Sequence, residues 1–81
     1  MLTAYIQAAM RRATYELLPD GEGYYGEIPL LEGVFATAAT LEDCREELRS
    51  VLEGWIILGL SMRHPFPEID GHGLTVQQDA A

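Results

Sequence analysis

Between Leu41 and Leu58, the apolar side chains Leu41, Cys44, Leu48, Val51, Leu52, Trp55 and Leu58 recur at intervals of three and four, while Glu42, Glu46, Arg49 and Glu53 fall mostly off that stripe. Such spacing aligns on one side of an α-helix. Thr40 is a natural N-cap, and Glu42 and Asp43 then occupy the first turn, where carboxylates meet the positive end of the helix dipole. The second half, Trp55 to Leu60, is apolar nearly all round. A helix of this kind needs a sheet on one side and cover on the other, from another helix or a second subunit. Gly54 and Gly59 would each cost about 1 kcal/mol against Ala in its interior, unless Gly59 is near enough to the end to help stop it.

The rest of the chain supplies that sheet. Leu2, Tyr5, Ile6, Ala9 and Met10 make residues 2–12 a short amphipathic helix, with Arg11 and Arg12 near its C-terminal end. Residues 13–18 read as a strand, residues 19–23 (PDGEG) as a turn, and residues 24–28 as the returning strand of a hairpin. Pro29 has no amide hydrogen and ends that strand, and residues 34–39 (VFATAA) form a third. A fourth, short edge strand is expected around residues 66–69, held to the edge by Pro65 and Pro67, and residues 74–76 suggest one more extended patch. The predicted fold class is α+β: an N-terminal helix, a three-stranded antiparallel meander, a long core helix and a short C-terminal edge strand. One domain is expected over residues 1–81.

Charge narrows the function classes. Thirteen acidic residues face five Arg and no Lys, for a formal net charge of −8. That potential repels phosphate backbones and disfavours direct nucleic-acid binding, while it steers a basic partner inward. At 81 residues the chain is small enough that cover from a partner subunit is plausible. A single cysteine, Cys44, permits neither an internal disulfide nor a zinc site of the cysteine-pair type, which fits a reducing compartment. The run from Trp55 to Leu60 is too short to cross a bilayer and no signal-peptide pattern follows Met1, so the expected location is cytoplasmic.

Several short motifs share an order and spacing with a known family. They are Asp20-Gly21 in the turn, Gly26 and Pro29 around the second strand, Gly33 before the third, and Thr40-Leu41-Glu42-Asp43 at the helix start. Leu52-Glu53-Gly54-Trp55-Ile56 and Pro65-Phe66-Pro67-Glu68 follow. Over residues 12–70 the chain resembles the HicB-like antitoxin family. The resemblance implies a β-β-β-α-β domain described as partially ribonuclease-H-like. It also implies binding to a HicA-like toxin, a small basic protein with a double-stranded-RNA-binding fold that cleaves messenger RNA using a histidine. The chain departs from the family pattern at Ala38-Ala39, where Gly-Asp is usual, and at Asp43-Cys44, where Glu-Ala is usual. The C-terminal DNA-binding domain carried by many relatives is not expected here.

On this reading Glu16, Asp20, Glu22, Glu27 and Glu32 form a negative rim for the basic toxin. Tyr24 and Tyr25 point to opposite faces of their strand, one inward and one available for contact. Trp55, Ile56, Ile57 and Leu60 are the candidate surface for a homo-oligomer, a dimer or tetramer. No catalytic, cofactor-binding or metal-binding residue is predicted. His64 and His72 have no second ligand at metal spacing, and Cys44 reads as a small buried hydrophobe. The primary expectation is an antitoxin module that occludes its toxin without chemistry of its own. The alternatives are a homo-oligomeric scaffold without a toxin and a residual metal-dependent ribonuclease. The last would need converging carboxylates that the spacing does not supply beyond Glu16 and Glu27.

Overall fold

A computed structural model describes residues 2–74. The chain runs α1 (Leu2–Arg11), β1 (Thr14–Leu17), β2 (Tyr24–Glu27), β3 (Phe35–Ala38) and α2 (Leu41–Ser61). The strands form one antiparallel sheet in the order β1-β2-β3. This is the α+β meander with a long helix that the pattern predicts.

Local chemistry sets each boundary. The β1–β2 hairpin closes through a 3-10 turn at Pro19–Gly21, with the Leu18 amide donating to the Gly23 carbonyl at 2.8 Å. Gly23 has φ +95°, and a Cβ there would lie 2.3 Å from the carbonyl oxygen of Ala38, so only glycine fits between turn and β3. β2 stops at Glu27, two residues before Pro29. The chain then folds back over residues 28–34, where the Ile28 amide donates to the Val34 carbonyl at 3.1 Å. Thr40 caps α2 through its hydroxyl, which accepts from the Asp43 amide at 3.1 Å.

The buried line on α2 differs from the expected stripe. Cys44, Leu48, Leu52, Ile56 and Gly59 are buried, whereas Leu41 is 47% exposed and Leu58 59%. Four residues overshoot one helical turn by about 40°. A line of four-residue steps therefore winds around α2, and it leaves Leu41 at one end and Leu58 at the other outside the core. Tyr5, Ile6, Ala8 and Ala9 of α1 join that core, with Ile28, Leu31 and Val34 from the turn after β2 and Ile69 from beyond α2. Each large aliphatic side chain buried this way contributes roughly 1.5–3 kcal/mol.

The edge strand expected around residues 66–69 does not form. After α2 the segment lies against the helices: Phe66 packs edge-on to Trp55 and Tyr5, with ring centroids 5.4 and 6.3 Å apart. The Tyr5 hydroxyl donates to the Pro67 carbonyl at 2.7 Å. Pro65 and Pro67 have no amide hydrogen to offer a neighbouring strand, so side-chain packing fixes the segment instead. Its one ladder element is an isolated bridge between Ile69 and His72 around Asp70 and Gly71, both at positive φ as a two-residue hairpin turn requires. Arg12 pairs with Asp70 across this turn. Of the extended patch expected at 74–76, residues 75 and 76 lie outside the described residues.

Candidate functional site

Strand alternation divides the sheet into two unlike faces. Tyr15, Gly26 and Ala36 are in register and lie under α2. A Cβ on Gly26 would come within 2.8 Å of the Tyr15 ring and 3.1 Å of the Cys44 sulfur, so glycine permits the close helix approach. The Cys44 thiol faces the Ala36 and Tyr24 carbonyls at 3.6 and 3.7 Å, and burial pushes its pKa up, which keeps it protonated and inert.

The opposite face carries Thr14, Glu27 and Phe35 in one cross-strand row and Glu16, Tyr25 and Thr37 in the next. No element among the described residues covers it. The Tyr25 hydroxyl donates to Glu27 Oε1 at 3.0 Å, and its ring stacks on Phe35 with centroids 6.1 Å apart. Phe35 remains 54% exposed, a large apolar ring beside its cross-strand partner Glu27. The Tyr25 phenol is held above its ordinary pKa by lost hydration first, then by the hydrogen bond to Glu27 and the charges of Glu27 and Glu16.

Of the predicted rim, this face gathers Glu16, Tyr25 and Glu27. Glu16 and Glu27 are diagonal neighbours: their direct partners are Tyr25 and Thr14. Asp20 and Glu22 stand at the hairpin turn, and Glu32 lies in the turn beyond the other end of β2. Tyr24 faces the helix side and is half-buried. Phe35 and Thr37 belong to the face and were not singled out from sequence. The signal for them is the small alternating pair Ala36 and Ala38, which marks the inner side of β3 and leaves Phe35 and Thr37 outside.

Charge is segregated in the same sense. No Arg or Lys occurs from Ala13 to Cys44, whereas Arg11, Arg45 and Arg49 line a groove between the two helices together with Glu42 and Glu46. Helical packing also sorts the apolar candidates. Ile56 is a core side chain, 1% exposed, and is not available as an oligomer surface. Trp55 is half-buried against Phe66. Ile57, 67% exposed, and Leu60 line a small groove with Leu2 and Ile6. Among the described residues no group of three or more His, Cys, Asp or Glu could hold a metal ion. Nor is any helix there long and apolar enough to cross a membrane.

The architecture defines a small α+β module: one helical layer on one three-stranded sheet, with the sheet's other face bare among the described residues. The chain belongs to the UPF0150-like family, which matches residues 4–67. It is also similar to a protein from Thermus thermophilus whose solved structure is described as the crystal structure of TTHA0281. That match has 44% identity, covers 90% of each chain and has a TM-score of 0.85. No curated protein matches.

Proposed function

We propose that this chain is a HicB-like antitoxin module that binds and occludes a basic HicA-type mRNA-cleaving toxin. The observation that carries the reading is the bare sheet face, where Glu16, Glu27, Tyr25 and the exposed Phe35 are presented together. A protein that cleaves RNA must offer a cationic surface to phosphates, and an anionic face with aromatic anchors is complementary to such a surface. Membership in a family that covers small HicB-like proteins points the same way. The mechanism is steric: the sheet lies across the toxin's RNA-binding surface, and no bond is made or broken.

The test is calorimetric titration against a short basic HicA-like protein encoded beside this one. Binding is expected, with affinity falling as salt rises. Glu16→Arg with Glu27→Arg should weaken it by tenfold or more, at about 1.4 kcal/mol per tenfold. A flat titration at low salt overturns the reading.

The second reading, a homo-oligomeric scaffold without a toxin, is favoured by the exposed Ile57 and Leu58. Light scattering on Ile57→Asp and on Trp55→Asp distinguishes the two: loss of assembly with toxin binding retained places the functions on separate surfaces. The ribonuclease reading has no comparable support, because Glu16 and Glu27 are diagonal and no third carboxylate joins them among the described residues.

A further inference from the structure

Each aromatic ring on the bare face has an acid as its cross-strand partner. Glu16 stands opposite Tyr25 across β1 and β2, and Glu27 stands opposite Phe35 across β2 and β3. Direct partners on one face have Cβ atoms about 5 Å apart. The rings are also neighbours of each other, stacked at 29° with centroids 6.1 Å apart. The face is thus a two-ring platform with a carboxylate beside each ring.

The chain does not neutralise those carboxylates. Among the described residues neither Glu16 nor Glu27 is in a salt bridge, and no Arg or Lys occurs from Ala13 to Cys44 to supply one locally. Arg12 pairs with Asp70, and Arg11, Arg45 and Arg49 line the groove between the helices. The Tyr25 hydroxyl donates to Oε1 of Glu27, which leaves the other oxygen for a partner. A cation for this face comes from another molecule.

The rings decide which cation fits. Lysine brings a compact, strongly hydrated ammonium, for which the carboxylates are the main attraction. Arginine brings a flat, weakly hydrated guanidinium that stacks on an aromatic face while its in-plane N–H groups reach carboxylates at the edge. We propose that the bare face holds an arginine side chain of the basic partner. Its guanidinium plane lies on the Tyr25 and Phe35 rings, and its N–H groups donate to Glu27 and Glu16. This inference rests on the reading of the face as a docking surface for a basic protein, and adds the chemistry of the anchor.

The probes are blocked peptides of equal length, alternating Gly with Arg or Gly with Lys, titrated at low salt into the isotope-labelled full chain and followed by NMR. Amide shifts are expected at Glu16, Tyr25, Glu27 and Phe35, with the arginine peptide bound about two- to fivefold more tightly than the lysine peptide. The arginine δ protons should move upfield, as protons held over an aromatic ring do. Phe35→Leu changes an exposed side chain and should bring the arginine peptide down to the lysine value. Glu16→Gln with Glu27→Gln should weaken both peptides. Equal affinities overturn the proposal, as do an arginine preference that survives Phe35→Leu, shifts confined to other surfaces, or no binding of the arginine peptide. Should Phe35→Leu fail to fold, the δ protons on the wild type decide, and unmoved resonances overturn the anchor. Equal peptide affinities beside a positive titration with the HicA-like protein sink the arginine anchor alone. Arginine binding beside a flat titration sinks the toxin and keeps the anchor.

Discussion

The Tyr5 hydroxyl donates to the carbonyl oxygen of Pro67 across 2.7 Å, joining residues 62 positions apart. Tyr5 is fully buried, and its ring meets Phe66 edge-on. One side chain thus ties the first helix to the segment beyond the last. Tyr5→Phe keeps the ring and leaves a carbonyl unpaired, and should lower unfolding stability by about 1 kcal/mol. Tyr5→Ala should cost about 3–5 kcal/mol, as truncation of a buried aromatic does. Urea unfolding measures both, and a Tyr5→Phe curve that overlays the wild type would show the bond to be idle.

Gly26→Ala should destabilise by about 1–3 kcal/mol through overpacking, since the new methyl would be 3.1 Å from the Cys44 sulfur and 2.8 Å from the Tyr15 ring. Cys44→Ala should cost less in the Gly26→Ala background than alone, because the smaller side chain relieves part of the clash. A double-mutant cycle reads the coupling, and strict additivity would contradict the contact.

On the bare face, Tyr25 has a raised pKa. The folded state therefore prefers the neutral phenol. The resulting stabilisation is full below the ordinary tyrosine value of about 10 and is lost as pH rises through the raised folded value. Glu27→Gln should move the Tyr25 midpoint down, removing the charged acceptor but not the loss of hydration. Phenolate absorbance or ring NMR shifts follow the titration. An unchanged midpoint would mean that the hydrogen bond to Glu27 does not form in solution.

Asp70 shows the opposite sign. Its carboxylate is held below the ordinary Asp range, first by the hydrogen bond from Arg12, with burial opposing and the charges of Arg12, Arg11 and His72 assisting. The stabilisation is complete above the ordinary value of about 3.9 and is lost as pH falls through the lowered folded value. Asp70→Asn keeps a residue type that tolerates the positive φ of this turn. Melting temperatures of wild type and Asp70→Asn should therefore differ at neutral pH and converge in acid. A constant difference across that range would exclude the pair as its source.

Thr40, Pro29 and the Pro19-Asp20-Gly21 turn act through their own backbones. Their effects on α2, β2 and the hairpin were legible in the amino-acid order, since a missing amide hydrogen or a capping hydroxyl operates within a few residues. That Tyr24 and Tyr25 take opposite faces of β2 was equally legible from the period of two, but which of them lies under α2 was not. Leu41 and Leu58 were misplaced on the helical wheel: a wheel assumes one straight buried line, and the buried residues of α2 follow four-residue steps that wind around the helix. The segment at Phe66 was misplaced as well, because Tyr5, which receives it together with Gly59, is distant in sequence. A Cβ on Gly59 would lie 2.8 Å from its ring.

For the candidate site, the sequence supplied the acids and the tyrosines but not their grouping. Glu16, Tyr25 and Glu27 come together through the register of β1 on β2, while Asp20, Glu22, Glu32 and Tyr24 go elsewhere. Phe35 joins them because β3 adds to the same sheet with its small residues turned inward. The amino-acid order by itself determined the two helices, the three strands, the cap and turns that bound them, and the excess of negative charge, all of which follow from local geometry and composition. The tertiary structure alone decided which face of the sheet α2 covers and which side chains share the other, since register and helix placement depend on contacts between residues far apart along the chain.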